Sequence, residues 1–180
     1  MENISISKVL EWDIDTNIGE SIYHLLNESF SGYPHGRIFF RQQPAFRYLV
    51  WQQDELIGHC GIDSRCVYNG GELKKIFGLS DFCIAPGHQS SGVGRLLLEK
   101  IISDSQNSQV EFILSFSGEH AFYRKLGFQQ YDTLCKWLII SNDQSFGLVN
   151  RKLTDCLFVL PLKEDAVWDG TFTDLLGSVF

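Results

Sequence analysis

The chain has 180 residues, with 15 Lys+Arg against 22 Asp+Glu for a net charge of −7, and 44% hydrophobic, 13% aromatic and 21% charged residues. That length and balance fit one domain able to bury a full core, and they exclude a disordered chain, a collagen and a coiled coil. The acidic excess argues against a nucleic-acid backbone as partner, because such proteins carry a basic footprint, and it suits a cationic small molecule better.

In chain order, Ile18, Ile22, Leu25, Leu26 and Phe30 recur at helical spacing behind Asn17 as an N-cap, which predicts a helix ending at Ser31-Gly32. Residues 37–43 predict a short second helix. Residues 46–53 alternate apolar and polar, 55–68 form a long β-rich run, and Asn69-Gly70-Gly71 is a tight-turn signal into 72–85, so a meander of three antiparallel strands is expected. After Pro86-Gly87 the period lengthens to about 3.6, with Val93, Leu96, Leu97, Ile101 and Ile102 on one face of a helix entered through glycines. The apolar run 110–116 reads as a strand buried on both faces and parallel to the strand before that helix. A short helix over 119–126 stops at Gly127. Strands over 128–140 and 155–162 follow, separated by a polar loop at 141–152, and the tail from 163 shows no clean period. The order predicts a single α/β (α+β) domain over 1–180.

No apolar run reaches the roughly 18–20 residues of a membrane helix. The start, Met1-Glu2-Asn3-Ile4, has neither a basic nor an apolar signal region, so a cytoplasmic protein is expected. Five cysteines, Cys60, Cys66, Cys83, Cys135 and Cys156, are an odd count without a Cys-x2-Cys pair and read as reduced core residues. The five histidines have no ligand spacing, so no metal is expected.

The most informative segment is Ile84-Ala85-Pro86-Gly87-His88-Gln89-Ser90-Ser91-Gly92-Val93-Gly94-Arg95. A strand ends, a tight turn follows and a helix begins, which aims backbone N–H groups and the positive helix end at one spot, as an anion site requires. A P-loop would place Lys and Ser/Thr where Val93 and Gly94 stand, and a dinucleotide fingerprint would place its third glycine at Leu97, so both patterns fail. What fits is Gln-x-x-Gly-x-Gly over Gln89 to Gly94.

That pattern resembles the acetyl-coenzyme A motif of the GNAT superfamily of N-acetyltransferases. The preceding strand, 79–86, looks like the family's cofactor strand, and Tyr123-Arg124-Lys125-Leu126-Gly127-Phe128 is similar to its second signature, Tyr-x-x-x-Gly-Phe. The resemblance implies a mixed, mostly antiparallel twisted sheet with helices on both faces and a parallel pair at the cofactor site. It implies that the main chain of Phe82, Cys83 and Ile84 pairs with the pantetheine arm while Gln89, Ser90, Ser91, Gly92, Val93, Gly94 and Arg95 hold the pyrophosphate of acetyl-CoA. Tyr123 is then the proton donor to the leaving thiolate, and Asp81 either the base for the amine or a carboxylate that binds a cationic substrate. A narrower likeness, to aminoglycoside 2′-N-acetyltransferases and nodulation acyltransferases, adds Ser80, Asp174 and Phe180 as substrate contacts, although Ser80, Ser178 and Phe180 replace the Glu, acidic residue and Trp of the first group, and Ser115, near the end of the buried strand, either hydrogen-bonds substrate or caps the next helix. The expected activity is acetyl transfer to a primary amine of a small cationic molecule by a monomer or homodimer. The alternative is a non-catalytic acyl-CoA sensor on the same fold.

Overall fold

In the computed structural model, which describes residues 3–180 so that Met1 and Glu2 lie outside it, the first element is a strand. β1 (Ile4–Leu10) alternates Ile4, Ile6 and Val9 with polar residues and pairs antiparallel with β2 (Phe46–Gln52), from Ile4↔Gln52 to Leu10↔Phe46. The helix α1 (Thr16–Ser29) follows and buries Ile22, Leu25 and Leu26. Its N-cap is Asp15, not Asn17: the Asp15 carboxylate accepts from the Ile18 N–H at 2.8 Å.

The helix expected over 37–43 does not form. Gly36 adopts φ +73°, and Pro44 at the far end disfavours helical backbone in the residue before it. The segment turns its main chain to other uses instead, such as the Ile38 carbonyl that accepts from Arg47 at 2.7 Å. β2 pairs antiparallel with β3 (Glu55–Asn69), and Gly70 and Gly71, both at positive φ, turn the chain into β4 (Glu72–Ile84). The helix α2 (Val93–Gln106) buries Val93, Leu97, Leu98 and Ile101, while Leu96, expected on that face, is exposed. β5 (Phe112–Phe116) is parallel to β4, with Ile76↔Phe112 through Leu79↔Ser115 in register. The short α3 (His120–Lys125) stops before Gly127, at φ +88°.

One strand extends well beyond expectation. β6 (Gln129–Ser141) and β7 (Gln144–Pro161) form a long antiparallel hairpin where a loop over 141–152 is expected. Asn142 and Asp143 sit at φ +49° and +62°, the left-handed pair that matches strand twist in a two-residue turn. The tail forms β8 (Phe172–Ser178), parallel to β6 and antiparallel to β3. The strand order is β1-β2-β3-β4-β5-β7-β6-β8, a mixed and mostly antiparallel sheet.

The chain divides into two compact units, one of residues up to Asp63 with Ser80–Ser103, the other of Ser64–Leu79 with Asp104–Phe180. The first holds α1, the β1–β2 ladder and the inner polar residues Arg47 and His59, both fully buried. The second is built on a core of Val67, Ile76, Phe112, Leu114, Leu157 and Trp168. Cys60, Cys83 and Cys135 are buried free thiols as expected, whereas Cys66 is exposed, because β3 turns alternate residues outward there. Among the described residues no helix is long and apolar enough to cross a membrane.

Candidate active site

The first unit contains the whole glycine turn. β4 ends at Ile84, the Ala85 N–H donates to the Ile57 carbonyl at 2.9 Å, and Pro86–His88 make a 3-10 turn. The polar side chains of the turn brace it from within: Gln89 Nε2 donates to the Ile84 carbonyl at 3.2 Å and Ser91 Oγ to the His88 carbonyl at 2.5 Å. Ser90 and Gly92 take φ +61° and +92°, and the first helical bond runs from Leu96 N–H to the Gly92 carbonyl at 3.0 Å. A Cβ built at Gly92 meets no atom within 4 Å, so the space over the turn is open to a ligand. The first-turn N–H groups of α2, from Val93, Gly94 and Arg95, have no acceptor within the helix and lie at its positive end. These residues suit an anionic diphosphate. The Arg95 side chain is on Glu99, 2.7 Å away, so its contribution to such a site is its main chain.

Asp81 lies three residues before Ile84, at φ +48°, a left-handed kink within β4. The kink turns its carboxylate to meet Tyr33, whose hydroxyl donates to Asp81 Oδ2 at 2.8 Å. Its carbonyl accepts from His59 Nδ1 at 2.8 Å. His59 Nε2 in turn lies 2.9 Å from Arg47 Nη1, which can only donate, so the imidazole is neutral with its proton on Nδ1. Arg47 completes the set with a bidentate pair to Glu11 at 2.7 and 2.8 Å. Burial raises the Asp81 pKa against the lowering effects of the Tyr33 hydroxyl, Arg47, the Phe40 N–H and Arg41. Burial also pushes Cys83 up to about 12, which keeps that thiol protonated and unreactive at neutral pH. Ser80 packs its hydroxyl against Gly61, 2.5 Å from where a Cβ would stand.

His59 is held down to about 3, first by burial and then by the Arg47 charge. Because that value lies below the ordinary 6.5, the unfolded chain binds more protons, and this contribution to stability is full above pH 6.5 and lost as pH falls toward 3. The expected loss at pH 5 is on the order of 2 kcal/mol. Urea midpoints at pH 7 and pH 5, in the wild type and His59→Gln, check it: the variant should show a smaller fall, and parallel falls would refute the assignment.

The second unit holds the other expected residues. Tyr123 is buried, its ring stacked on Phe158 at 5.2 Å and edge-on to Phe128 at 5.2 Å. Phe122, the more obvious core residue by composition, is the less buried of the two. Ser115 is buried opposite Leu79 in the parallel ladder. Phe180 lays its ring over Gly78, where a Cβ would come within 2.6 Å, and packs on Phe116 at 5.2 Å with the Arg65 guanidinium 5.6 Å from its centre. Asp174 does not present an open carboxylate: Oδ2 accepts from Lys136 Nζ at 2.7 Å, Oδ1 from the Leu176 N–H at 3.0 Å. The reason is register, which places Lys136 of β6 directly opposite it. Sequence reasoning missed Tyr33 and Arg47. The signal for Arg47 is an arginine inside the apolar run 46–51, while Tyr33 sits in a Gly/Pro loop without period.

The mixed, mostly antiparallel sheet with its few parallel pairs and its helices is the GNAT fold. Residues 44–130 match the family model described as "Acetyltransferase (GNAT) domain". Among solved structures, the GNAT family N-acetyltransferase YhbS from Escherichia coli in complex with CoA is similar at a TM-score of 0.65 and 15% identity, over 96% of this chain and 89% of that one. The ribosomal-protein-S18-alanine N-acetyltransferase from Escherichia coli gives 0.55 and 16%, over 92% and 99%. A GCN5-related N-acetyltransferase from Kribbella flavida gives 0.58 and 19%, over 72% of this chain and 34% of that one, so this chain spans about a third of that relative's length. No curated protein matches the sequence.

Proposed function

We propose that the chain is an N-acetyltransferase that moves the acetyl group of acetyl-CoA to a primary amine of a small, cationic substrate by direct attack in a ternary complex. The observation that carries this reading is a part-buried carboxylate, Asp81, at a kink in β4 three residues before the strand ends at Ile84 and the open glycine turn begins. In this reading the turn's amides hold the diphosphate, and the main chain of Phe82, Cys83 and Ile84 holds the pantetheine arm and polarises the thioester carbonyl. The amine nitrogen bonds to the carbonyl carbon and the C–S bond breaks. Asp81 takes the amine proton directly or through a water, and Tyr123 gives its hydroxyl proton to the departing thiolate.

A raised Asp81 pKa suits a base working near neutral pH, and the buried, free thiols of Cys60, Cys83 and Cys135 fit a reducing, cytosolic setting. Ser80, Ser115 and Phe180 are assigned to the acceptor. The aminoglycoside likeness is weaker support, since Asp174 would have to exchange Lys136 for the substrate's cation.

The test is release of free CoA from acetyl-CoA across a panel of amines that includes aminoglycosides and polyamines, with a longer acyl-CoA run alongside. Amine-dependent thiol release is expected. Tight acetyl-CoA binding with no turnover on any amine would favour the sensor and overturn the enzyme reading.

A further inference from the structure

We propose that Tyr33 is a positioning residue for the reaction, its hydroxyl holding the Asp81 carboxylate in one orientation and in its ionised form. The inference rests on the assignment of Asp81 as base. Its observation is geometric: Tyr33 is 7% exposed and its hydroxyl reaches across 48 residues of chain to Asp81 Oδ2 at 2.8 Å. The ring is fixed on both sides, stacked on Phe30 at 6.0 Å and tilted against Phe40 at 5.9 Å, so the hydroxyl is aimed by packing. Phe40 also supplies a backbone N–H to Asp81. The loop after α1 thus brings two donors to one carboxylate.

Among the described residues, other charged or titratable groups face Asp81 from each neighbouring element, and none duplicates this contact. From the same loop comes Arg41; from β2, Arg47, which bonds to Glu11, Ile38 and His59. From β3 come His59, neutral and bonded to the Asp81 carbonyl, and Cys60, whose thiol burial pushes well up. Cys83, two residues along β4, is likewise protonated. Tyr33 itself stays a donor, because burial first and then the Asp81 charge and hydrogen bond drive its own pKa upward. A donor to the ionised carboxylate favours that form and opposes the desolvation that disfavours it. Removing the hydroxyl therefore raises the pH at which Asp81 becomes a base.

The sign separates positioning from packing. A packing defect lowers the rate at every pH. Loss of this donor lowers it at neutral pH and lets it recover as pH rises. For Tyr33→Phe, kcat/KM at pH 7 is expected to fall roughly tenfold, the size of one hydrogen bond to a charged group, and to return toward wild type on the alkaline side. The second readout needs no activity: a carboxyl-carbon NMR titration of Asp81, assigned with Asp81→Asn, should shift to higher pH in Tyr33→Phe. Difluorotyrosine at position 33 keeps the ring and strengthens the donor, so it should shift the titration the opposite way, and it serves if the phenylalanine variant folds poorly. An Asp81 titration unmoved by both replacements overturns the proposal. Full activity in Asp81→Asn would sink the base assignment instead, and the NMR arm would still decide whether Tyr33 governs the carboxyl.

Discussion

Arg47→Met is expected to cost about 3–5 kcal/mol of folding stability, the largest single-residue effect in the first unit. The guanidinium is fully buried and gives five-donor geometry four destinations: two Glu11 oxygens at 2.7 and 2.8 Å, the Ile38 carbonyl at 2.7 Å and His59 Nε2 at 2.9 Å. Methionine fills much of the volume and satisfies none of them. Glu11, with a side chain 11% exposed, is then a nearly buried anion without its counter-charge, and Ile38 and His59 lose their donor. Chemical denaturation reads the loss. Glu11→Gln should cost less, because it removes a charge but leaves an acceptor oxygen for the arginine. If Arg47→Met falls within about 1 kcal/mol of wild type, the network is not the anchor that these bonds describe between β2, β3 and Glu11 just after β1.

Tyr123→Phe is expected to lower turnover by about 10²–10⁴-fold, the usual contribution of a positioned general acid. Its affinity for acetyl-CoA should stay within a few-fold. The variant keeps the ring, and the ring packs against Phe158, Phe128 and Phe122, all at 5.2 Å between centres. The unit's fold should therefore persist, and calorimetric binding of acetyl-CoA measured beside thiol release separates a lost proton donor from a lost binding site. Turnover within twofold of wild type would remove Tyr123 from the reaction.

What was legible in the sequence follows from how local the signal is. The turn at 84–95 was readable because every part of it is consecutive: a β-rich run, a proline and glycines, then a 3.6-residue period. The parallel β4–β5 pair follows from the helix between the two strands and the apolar run 110–116. The first half of β7 was hidden because its first ten residues are almost all exposed, so they carry no buried alternation, and the Asn142-Asp143 turn lacks the glycine that marks most such hairpins. β8 is short and interrupted by Leu176 at φ +50°. The site divides the same way. Asp81 follows from the family resemblance of the strand that leads into the turn, whereas its partners Tyr33, Arg47 and His59 come from three other segments and only the fold collects them. Asp174 shows the converse, since a carboxylate read along one strand alone is matched to a lysine by the register of another.

The two units share their strands, and this shapes how the chain emerges from a ribosome. Residues up to Ser103 include everything the first unit needs, but they also include 64–79, which belong to the second. Val67 and Ile76, both fully buried in the finished protein, have their core partners Phe112, Leu157 and Trp168 far downstream. Until residues 104–180 follow, the strand segments within 64–79 lack those core partners, the condition in which chaperones and unwanted association compete with folding. The last 77 residues of the second unit, Asp104–Phe180, thus serve as the cover for an exposed hairpin as well as a fold of their own. Truncations within them should be judged first by solubility and only then by activity.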